Sequence, residues 1–323
     1  MMTPVAVVIV NYNTCELLRP CLATLQSEAP TETIVVDNAS SDGSAEMVRS
    51  DFPWVLLQAN TTNRGYGAAA NQAMAGCTAK YVLLLNSDTR LQPGALESLS
   101  AYLDQHPQAA IVGPRIVNLD GTLQPSCYPF PTVLNTLFVN SHLGHVIRSV
   151  PGLRDRYLPA WSHSHARVVP WVLGAALAIR RQAFESVAGF DEAFFLYYEE
   201  VDLCYRLYAA GWQVHFAPVT TVVHVGAAST SQQQTDMAVQ MVASTMRFYR
   251  KHYSIRRQAQ LVSLWRAIML IRWVWDTARL GFTRHAGQRT RIAAGIAAWR
   301  RVLLERRPGS MDANNERAGR APV

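Results

Sequence analysis

The sequence predicts an α/β protein: a doubly wound, mostly parallel sheet followed by a basic helical extension. Three observations carry that prediction. Over the first 115 residues, short runs rich in Val, Ile and Leu alternate with segments of helical periodicity, the rhythm of βαβ units. One run, 81–85, ends in the acidic turn Asn86-Ser87-Asp88, and ligands of open α/β sheets sit at such carboxyl ends. Charge is divided along the chain: residues 1–246 hold 13 Lys+Arg against 19 Asp+Glu, whereas 247–307 hold 15 against 2.

The expected strands are 5–10, 33–36, 55–57, 81–85 and 109–112. They are short and nearly apolar, as strands covered on both faces are. Between them lie helical patterns at 16–26, 45–51, 68–75 and 93–106. Ser44 and Gly94 stand near helix starts, and Pro93 suits a first-turn position. From 120 to 170 the pattern breaks up around Pro125, Pro129, Pro131, Pro151 and Pro159, and reads as a loop-rich insertion framing an acceptor. Regular structure resumes with strands at 168–173 and 176–179, then a helix at 200–210 closed by Gly211. The expected domains are a catalytic body at 1–246, with its insertion at about 120–170, a basic helical extension at 247–307 and a disordered tail at 308–323.

Composition narrows the classes further. Apolar residues at 49% and charged ones at 16% exclude disorder over most of the length. The five cysteines (Cys15, Cys21, Cys77, Cys127, Cys204) are odd in number and lack a C-x-x-C pair, so they read as buried free thiols of a reducing cytoplasm. The N-terminus has no basic leader, and its apolar run is too short for a signal-peptide core or a membrane span.

The strand ends exclude several chemistries. Strand 1 is followed by Asn11-Tyr12-Asn13-Thr14, not by the G-x-G-x-x-G of a dinucleotide site, and no P-loop occurs. The same residues lack the Gly-rich loop expected of a sugar-pyrophosphorylase-type nucleotidyltransferase. What stands out is a pair of carboxylate clusters, Asn86-Ser87-Asp88 and Glu199-Glu200-Val201-Asp202. The first can hold a divalent cation against a phosphate oxygen, and the second can deprotonate a nucleophile. Together they suggest transfer of a group from an activated phosphate ester. Arg64 lies in a glycine-containing loop that opens a small-residue helix, where a guanidinium and backbone N–H groups can face a diphosphate; the alternative is an ordinary surface arginine. Asn71, one turn on, either braces the acidic turn or is a helix-surface amide. Glu199, Glu200 and Asp202 also open a helix, where carboxylates serve as caps, and Asp202 suits that role.

In order along the chain come Val7-Val8-Ile9-Val10-Asn11-Tyr12-Asn13, Val35-Val36-Asp37-Asn38-Ala39-Ser40-Ser41-Asp42-Gly43-Ser44, Asn63-Arg64-Gly65-Tyr66-Gly67-Ala68-Ala69-Ala70-Asn71 and Leu84-Leu85-Asn86-Ser87-Asp88. Trp171-Val172-Leu173-Gly174-Ala175-Ala176, Phe190-Asp191-Glu192, Glu199-Glu200-Val201-Asp202-Leu203-Cys204-Tyr205-Arg206 and His224-Val225-Gly226-Ala227-Ala228-Ser229 follow. Over roughly residues 4–250 this series resembles the family 2 inverting glycosyltransferases of the GT-A fold, most closely their rhamnosyltransferase-like branch. The resemblance implies a nucleoside-diphosphate sugar donor, dTDP-L-rhamnose first, and a cell-surface glycan or lipid-linked saccharide as acceptor. It implies that Asp37 accepts from the imide N–H of a uracil or thymine base, with Asn11 and Tyr12 lining that pocket. Asn86-Ser87-Asp88 falls at the family's D-x-D position, with Asp88 the ligand of Mg²⁺ or Mn²⁺, Asn86 near the ribose or in the outer shell, and His224 a further metal ligand. Glu200 falls at the position of the catalytic base, where the family has Asp, and Glu199 is its rival. Trp171, Gly174 and Ala175 are expected to shape the acceptor side. Two other outcomes share these motifs: transfer from another donor, a UDP-hexose or UDP-galactofuranose, and a non-catalytic role in glycan assembly.

The basic extension has its own pattern. Residues 261–275 are strongly apolar but interrupted by Arg266 and Arg272, so they suit an amphipathic helix in a lipid headgroup region rather than a span. Trp265, Trp273 and Trp275 are expected to insert there, and 292–304 repeat the character. The protein is thus expected to be cytoplasmic and peripheral at the inner face of the membrane. The alternative is that these helices pack on the body or pair two copies in a homo-oligomer. Nucleic acid is a poorer partner, because no helix-turn-helix, zinc or single-strand-binding signature accompanies the charge.

Overall fold

The structure, a computed structural model, describes residues 3–133, 135, 161–226 and 234–282. The chain divides into two compact units: Met1–Phe130, Gly152–Phe195 and Glu199–Ser229 form the first, and Pro131–Pro151, Leu196–Tyr198 and Thr230–Val323 the second.

In the first unit the chain runs β1 (Thr3–Asn11), α1 (Cys15–Leu25), β2 (Pro30–Asp37), α2 (Ser44–Asp51), β3 (Leu56–Ala59), α3 (Tyr66–Met74), β4 (Tyr81–Asn86), β5 (Thr89–Leu91), α4 (Ala95–Gln105) and β6 (Ala109–Val117). It continues with β7 (Cys127–Tyr128), β8 (Arg167–Val168), β9 (Trp171–Val172), β10 (Ala176–Arg180), α5 (Arg181–Ser186), α6 (Glu199–Ala209) and β11 (Gln213–His224). Nine strands form one sheet in the order β3-β2-β1-β4-β10-β6-β11-β5, with β8 also on β11, while β7 and β9 pair separately. The β3-β2-β1-β4 block and the β6–β11 pair are parallel; β10 runs antiparallel between β4 and β6. The chain winds outward from β1 to β3 and then returns to place β4 on the other side of β1. The carboxyl ends of β1 and β4 therefore flank the switch point of the sheet, where open α/β proteins bind their ligands.

The period-2 alternation of each strand explains the layers. Val5, Val7 and Ile9 pack with Leu18, Cys21, Leu22 and Leu25 of α1, Val48 of α2 and Leu99 of α4. Ala6, Val8 and Val10 face the other way, onto Ala69, Ala70 and Ala73 of α3, Phe184 of α5 and Leu203 and Leu207 of α6. The α1 residues recur at the i, i+3, i+4, i+7 spacing of one helix face.

Three expectations need correction. Pro93 lies outside α4, whose N-cap is Gly94; the orphan N–H groups of Gly94 and Leu96 are taken by the Glu28 carboxylate at 2.7 and 2.9 Å. The run at 168–173 is two strands rather than one. Pro170 stands between them and has no N–H for a ladder, so β8 joins β11 and β9 joins β7. All five cysteines are unbridged, but Cys15 is only partly buried.

The second unit contains α7 (Gln234–His252) and α8 (Ile255–Phe282). Leu261, Trp265, Ile268 and Met269 of α8 are buried, and the Trp265 Nε1–H donates to the Tyr249 hydroxyl of α7 at 3.2 Å. Trp265 thus packs in protein, contrary to its expected insertion in lipid. Leu270, Ile271, Val274 and Trp275 lie on an exposed face, at 50–67% accessibility. Residue 246 falls inside α7, which runs on without a break. Among the described residues no helix is long and apolar enough to cross a membrane. Residues 292–304 and 308–323 and about half of the insertion lie outside the described residues.

Candidate active site

Three strand ends meet at the switch point. In register, Asn11 stands opposite Asp37 and Val10 opposite Asn86. Asn11 is fully buried; its Nδ2 donates to Asp37 Oδ1 at 2.9 Å and to Ser40 Oγ at 3.1 Å. Its Oδ1 accepts from Thr14 Oγ1 at 2.6 Å, and that hydroxyl lies 2.7 Å from Ser87 Oγ. A buried hydrogen-bonded chain thus joins Asp37, Asn11, Thr14 and Ser87. Asp37 Oδ2 accepts the Ser40 N–H at 3.0 Å, so the carboxylate does cap its turn while remaining fixed at the strand end. Tyr12, the residue after Asn11, is 44% exposed.

Asp88 and His224 are brought into contact by a piece of structure too short to read in advance. β5 follows the acidic turn at once and pairs antiparallel with β11, setting His224 opposite Thr89. The Val225 N–H donates to the Asp88 carbonyl at 3.0 Å and the Gly226 N–H to Asp88 Oδ2 at 3.1 Å. Asp88 Oδ1 then lies 3.2 Å from His224 Nε2, both groups nearly buried. His224 Nδ1 is 2.7 Å from Gln124 Oε1. With that amide oxygen accepting from Nδ1–H, Nε2 presents a lone pair to a carboxylate oxygen. Such an arrangement asks for a proton or a cation between the two atoms, and an outer amide orienting the ring is common at metal sites. Among the described residues no group of three or more His, Cys, Asp or Glu is gathered as a metal site. A cation here would need ligand oxygens or water to complete its shell.

The second cluster opens α6. Glu199 is nearly buried, and a Cβ placed on Gly67 would lie 3.7 Å from its Cβ, so the first turns of α3 and α6 are packed together. Burial, and then the Glu200 charge, push the Glu199 carboxyl well above the usual carboxylate range. Glu200 faces the other way: a Cβ on Gly174 would lie 3.7 Å from its Oε1. Asp202 is fully buried and accepts from Arg206 Nε at 2.7 Å, a pair that anchors α6 within itself. The acceptor-side residues are tied to the same place. The Ala175 carbonyl accepts the Asn86 N–H at 3.0 Å, so Gly174 and the face of Glu200 adjoin the end of β4. Trp171 stacks on Tyr128 at 4.7 Å and donates through Nε1 to the Pro129 carbonyl.

Arg64 and Asn71 sit at α3 with different outcomes. The Arg64 guanidinium is half exposed, donates to Gln72 Oε1 at 2.9 Å and lies 3.9 Å from Glu192 Oε2. Asn71 braces a loop, though not the acidic turn: its amide bonds both the carbonyl and the N–H of Phe190 at 2.9 Å, and Glu192 Oε1 at 3.1 Å. Sequence reasoning passed over Tyr66, whose only signal was its place inside the Asn63–Asn71 motif, and Gln124, which had none.

The chain as a whole is similar to known proteins. The profile described as Glycosyl transferase family 2 matches residues 6–157. An N-acetylglucosaminyl-diphospho-decaprenol L-rhamnosyltransferase of Mycobacterium tuberculosis is 32% identical over 243 residues, which cover 70% of this chain and 77% of that one. The chain belongs to glycosyltransferase family 2. It is a glycosyltransferase of the rhamnosyltransferase-like kind. A pre-mycofactocin glycosyltransferase of the same organism is 33% identical over 226 residues, 68% of this chain and 42% of its own. In fold, the mannosyltransferase PcManGT from Pyrobaculum calidifontis, solved in complex with GDP-Man and Mn²⁺, aligns with a TM-score of 0.52 and 17% identity, over 99% of this chain and 89% of that one. The mostly parallel sheet is therefore that of a GT-A-like family 2 enzyme.

Proposed function

We propose that this family 2 enzyme transfers a sugar, L-rhamnose from dTDP-L-rhamnose in the first instance, onto a hydroxyl of a lipid-linked saccharide, with inversion. The observation that carries this is the convergence of two kinds of group at the β1/β4 switch point. The Asp88–His224 pair lies at the end of β4, and Glu200 faces Gly174, whose neighbour Ala175 is bonded to Asn86. The 32% identical relative is named for transfer to a diphospho-decaprenol acceptor, and the PcManGT complex holds a nucleotide sugar and Mn²⁺; both support the choice of donor class, metal and acceptor class.

In this reading Asp37, fixed by Asn11, accepts the imide N–H of the base, with Tyr12 alongside and Asn86 near the ribose. Arg64 faces the diphosphate, and Asn71 holds the loop that carries Glu192 beside it. Asp88 and His224 would hold Mg²⁺ or Mn²⁺, which when bound offsets charge on the departing diphosphate. Glu200 removes the acceptor hydroxyl proton as that oxygen attacks the anomeric carbon from the opposite face. Glu199, kept protonated by burial, spares Glu200 a second negative charge next to it. Asp202 keeps α6 in place, and Trp171, Gly174 and Ala175 border the acceptor.

The reading extends to location. Residues 247–307 carry the basic excess, and α8 exposes Leu270, Ile271, Val274 and Trp275 along one face. An apolar face beside arginines fits the anionic inner surface of the cytoplasmic membrane, where a lipid-linked acceptor would be met. The catalytic body would be residues 1–246, the basic extension 247–307 and the tail 308–323; pairing of two copies through α8 is the competing use of that face.

The test is a screen of dTDP- and UDP-sugars with Mn²⁺ or Mg²⁺, followed by the anomeric configuration of the product by NMR. Glu200→Gln should keep donor affinity and lose about 10²–10⁴ in turnover. If Glu199→Gln shows that pattern instead, the base is Glu199. Absence of both transfer and donor hydrolysis with every nucleotide sugar would leave a non-catalytic glycan-assembly role.

A further inference from the structure

The hydroxyl of Tyr66 is unexplained by everything above. Tyr66 is the first residue of α3, its N–H donates to the Phe195 carbonyl at 2.8 Å, and its ring meets Phe190 edge-on at 6.5 Å. The residue as a whole is only partly buried, but the hydroxyl oxygen is shut off from solvent and has no hydrogen-bond partner. Glu199 Oε2 is likewise buried and without a partner. A buried hydroxyl or carboxyl oxygen left unpaired is destabilising, and native structures seldom tolerate it without a purpose. Here two orphans, one a donor and one an acceptor, sit on helix starts that pack together through Gly67.

We propose that Tyr66 is a substrate-binding residue whose hydroxyl, together with Glu199 Oε2, takes one sugar hydroxyl at the reaction centre. A sugar hydroxyl accepts from the phenol O–H and donates to the carboxyl oxygen, so a single group satisfies both orphans. The place is right for it, given the donor and base assignments proposed above, on which this inference rests. Burial first, and then the negative charge of Glu200 and Asp88, hold the phenol protonated, so it acts only as a neutral donor. A site built to bond a hydroxyl also rejects an analogue that lacks it, because its own groups are then left unpaired.

The experiment compares wild type with Tyr66→Phe, using dTDP-L-rhamnose and a saccharide acceptor, each with its singly deoxygenated analogues. In the free protein, Tyr66→Phe removes an unpaired buried hydroxyl and should raise Tm by about 2 °C. Its kcat/KM should fall about ten- to a hundredfold, and its discrimination against one deoxygenated analogue should vanish. If donor affinity and acceptor-free hydrolysis carry the loss, the hydroxyl belongs to the transferred sugar. If only acceptor KM carries it, it belongs to the acceptor. A lower Tm with unchanged discrimination would mean that Tyr66 and Glu199 bond each other for stability, and the proposal falls. Equal kinetics in both proteins also overturn it. Wild type inactive on every nucleotide sugar would instead defeat the transferase reading itself.

Discussion

Gly65→Ala should be among the most damaging single-methyl additions in this protein, and its cost can be worked from two separate sources. Gly65 sits at φ +83° and ψ 168°, a region open essentially to glycine alone, where another residue incurs about 1–3 kcal/mol. A Cβ there would also lie 2.4 Å from the Phe195 carbonyl oxygen and 2.9 Å from its Cα and Cδ2. Relief requires that carbonyl to retreat by roughly 1 Å, to a normal contact distance of about 3.4 Å. The move would break the Tyr66 N–H bond it accepts, for about 1 kcal/mol more. Together these give a loss of about 3 kcal/mol. Gly43 is the control, since it has nearly the same φ, +82°, with nothing within 4 Å of the place an added methyl would take, so Gly43→Ala should lose only about 1 kcal/mol. Urea denaturation followed by circular dichroism measures both. Equal losses at the two sites would refute the steric argument, because only Gly65 has a neighbour to strike.

Glu199→Gln should show its stabilising effect through pH. The folded carboxyl titrates well above its unfolded value, so wild type is unpenalised below about pH 4.3 and loses stability as pH rises toward the folded value. The Tm advantage of the variant should therefore widen from pH 4 to pH 8; a constant gap would contradict the buried, protonated carboxyl. Asp88→Asn should abolish transfer and weaken metal-dependent nucleotide binding with an unchanged circular dichroism spectrum, whereas retained activity with unaltered metal dependence would remove Asp88 from the metal site. On α8, Ile271→Ser with Val274→Ser should weaken sedimentation with anionic vesicles about thirtyfold, roughly 1 kcal/mol for each half-exposed side chain. Trp265→Phe should leave vesicle binding alone. The reverse result would make the exposed face a protein-packing surface.

The strands and helices of the first 115 residues were legible because each obeys its own local rule: both-face burial gives apolar runs, and α1 shows its buried stripe at helical spacing. Direction was not legible. β10 lies antiparallel between parallel neighbours, yet its residues Ala176 to Ile179 are buried on both faces like those of any parallel strand. The ends of β1, β2 and β4 were readable as candidate site positions, since their polar residues follow apolar runs and meet in register. Their partners were hidden, because Gln124 meets His224 across 100 residues and Asn71 meets Phe190 across 119. The same gap misplaced Trp265: an apolar aromatic beside arginines looks alike whether its neighbour is lipid or Tyr249.

The contact between Asp88 and His224 has a consequence for the order in which the fold is completed. Asp88 is made early, but β5, which carries its turn, has among the described residues no sheet neighbour except β11. A chain emerging from the ribosome therefore holds the Asn11–Asp37 end and the acidic turn long before it holds the histidine that faces that turn. Pairings so distant in sequence close late. The contact is made in one step, with the final strand of the sheet.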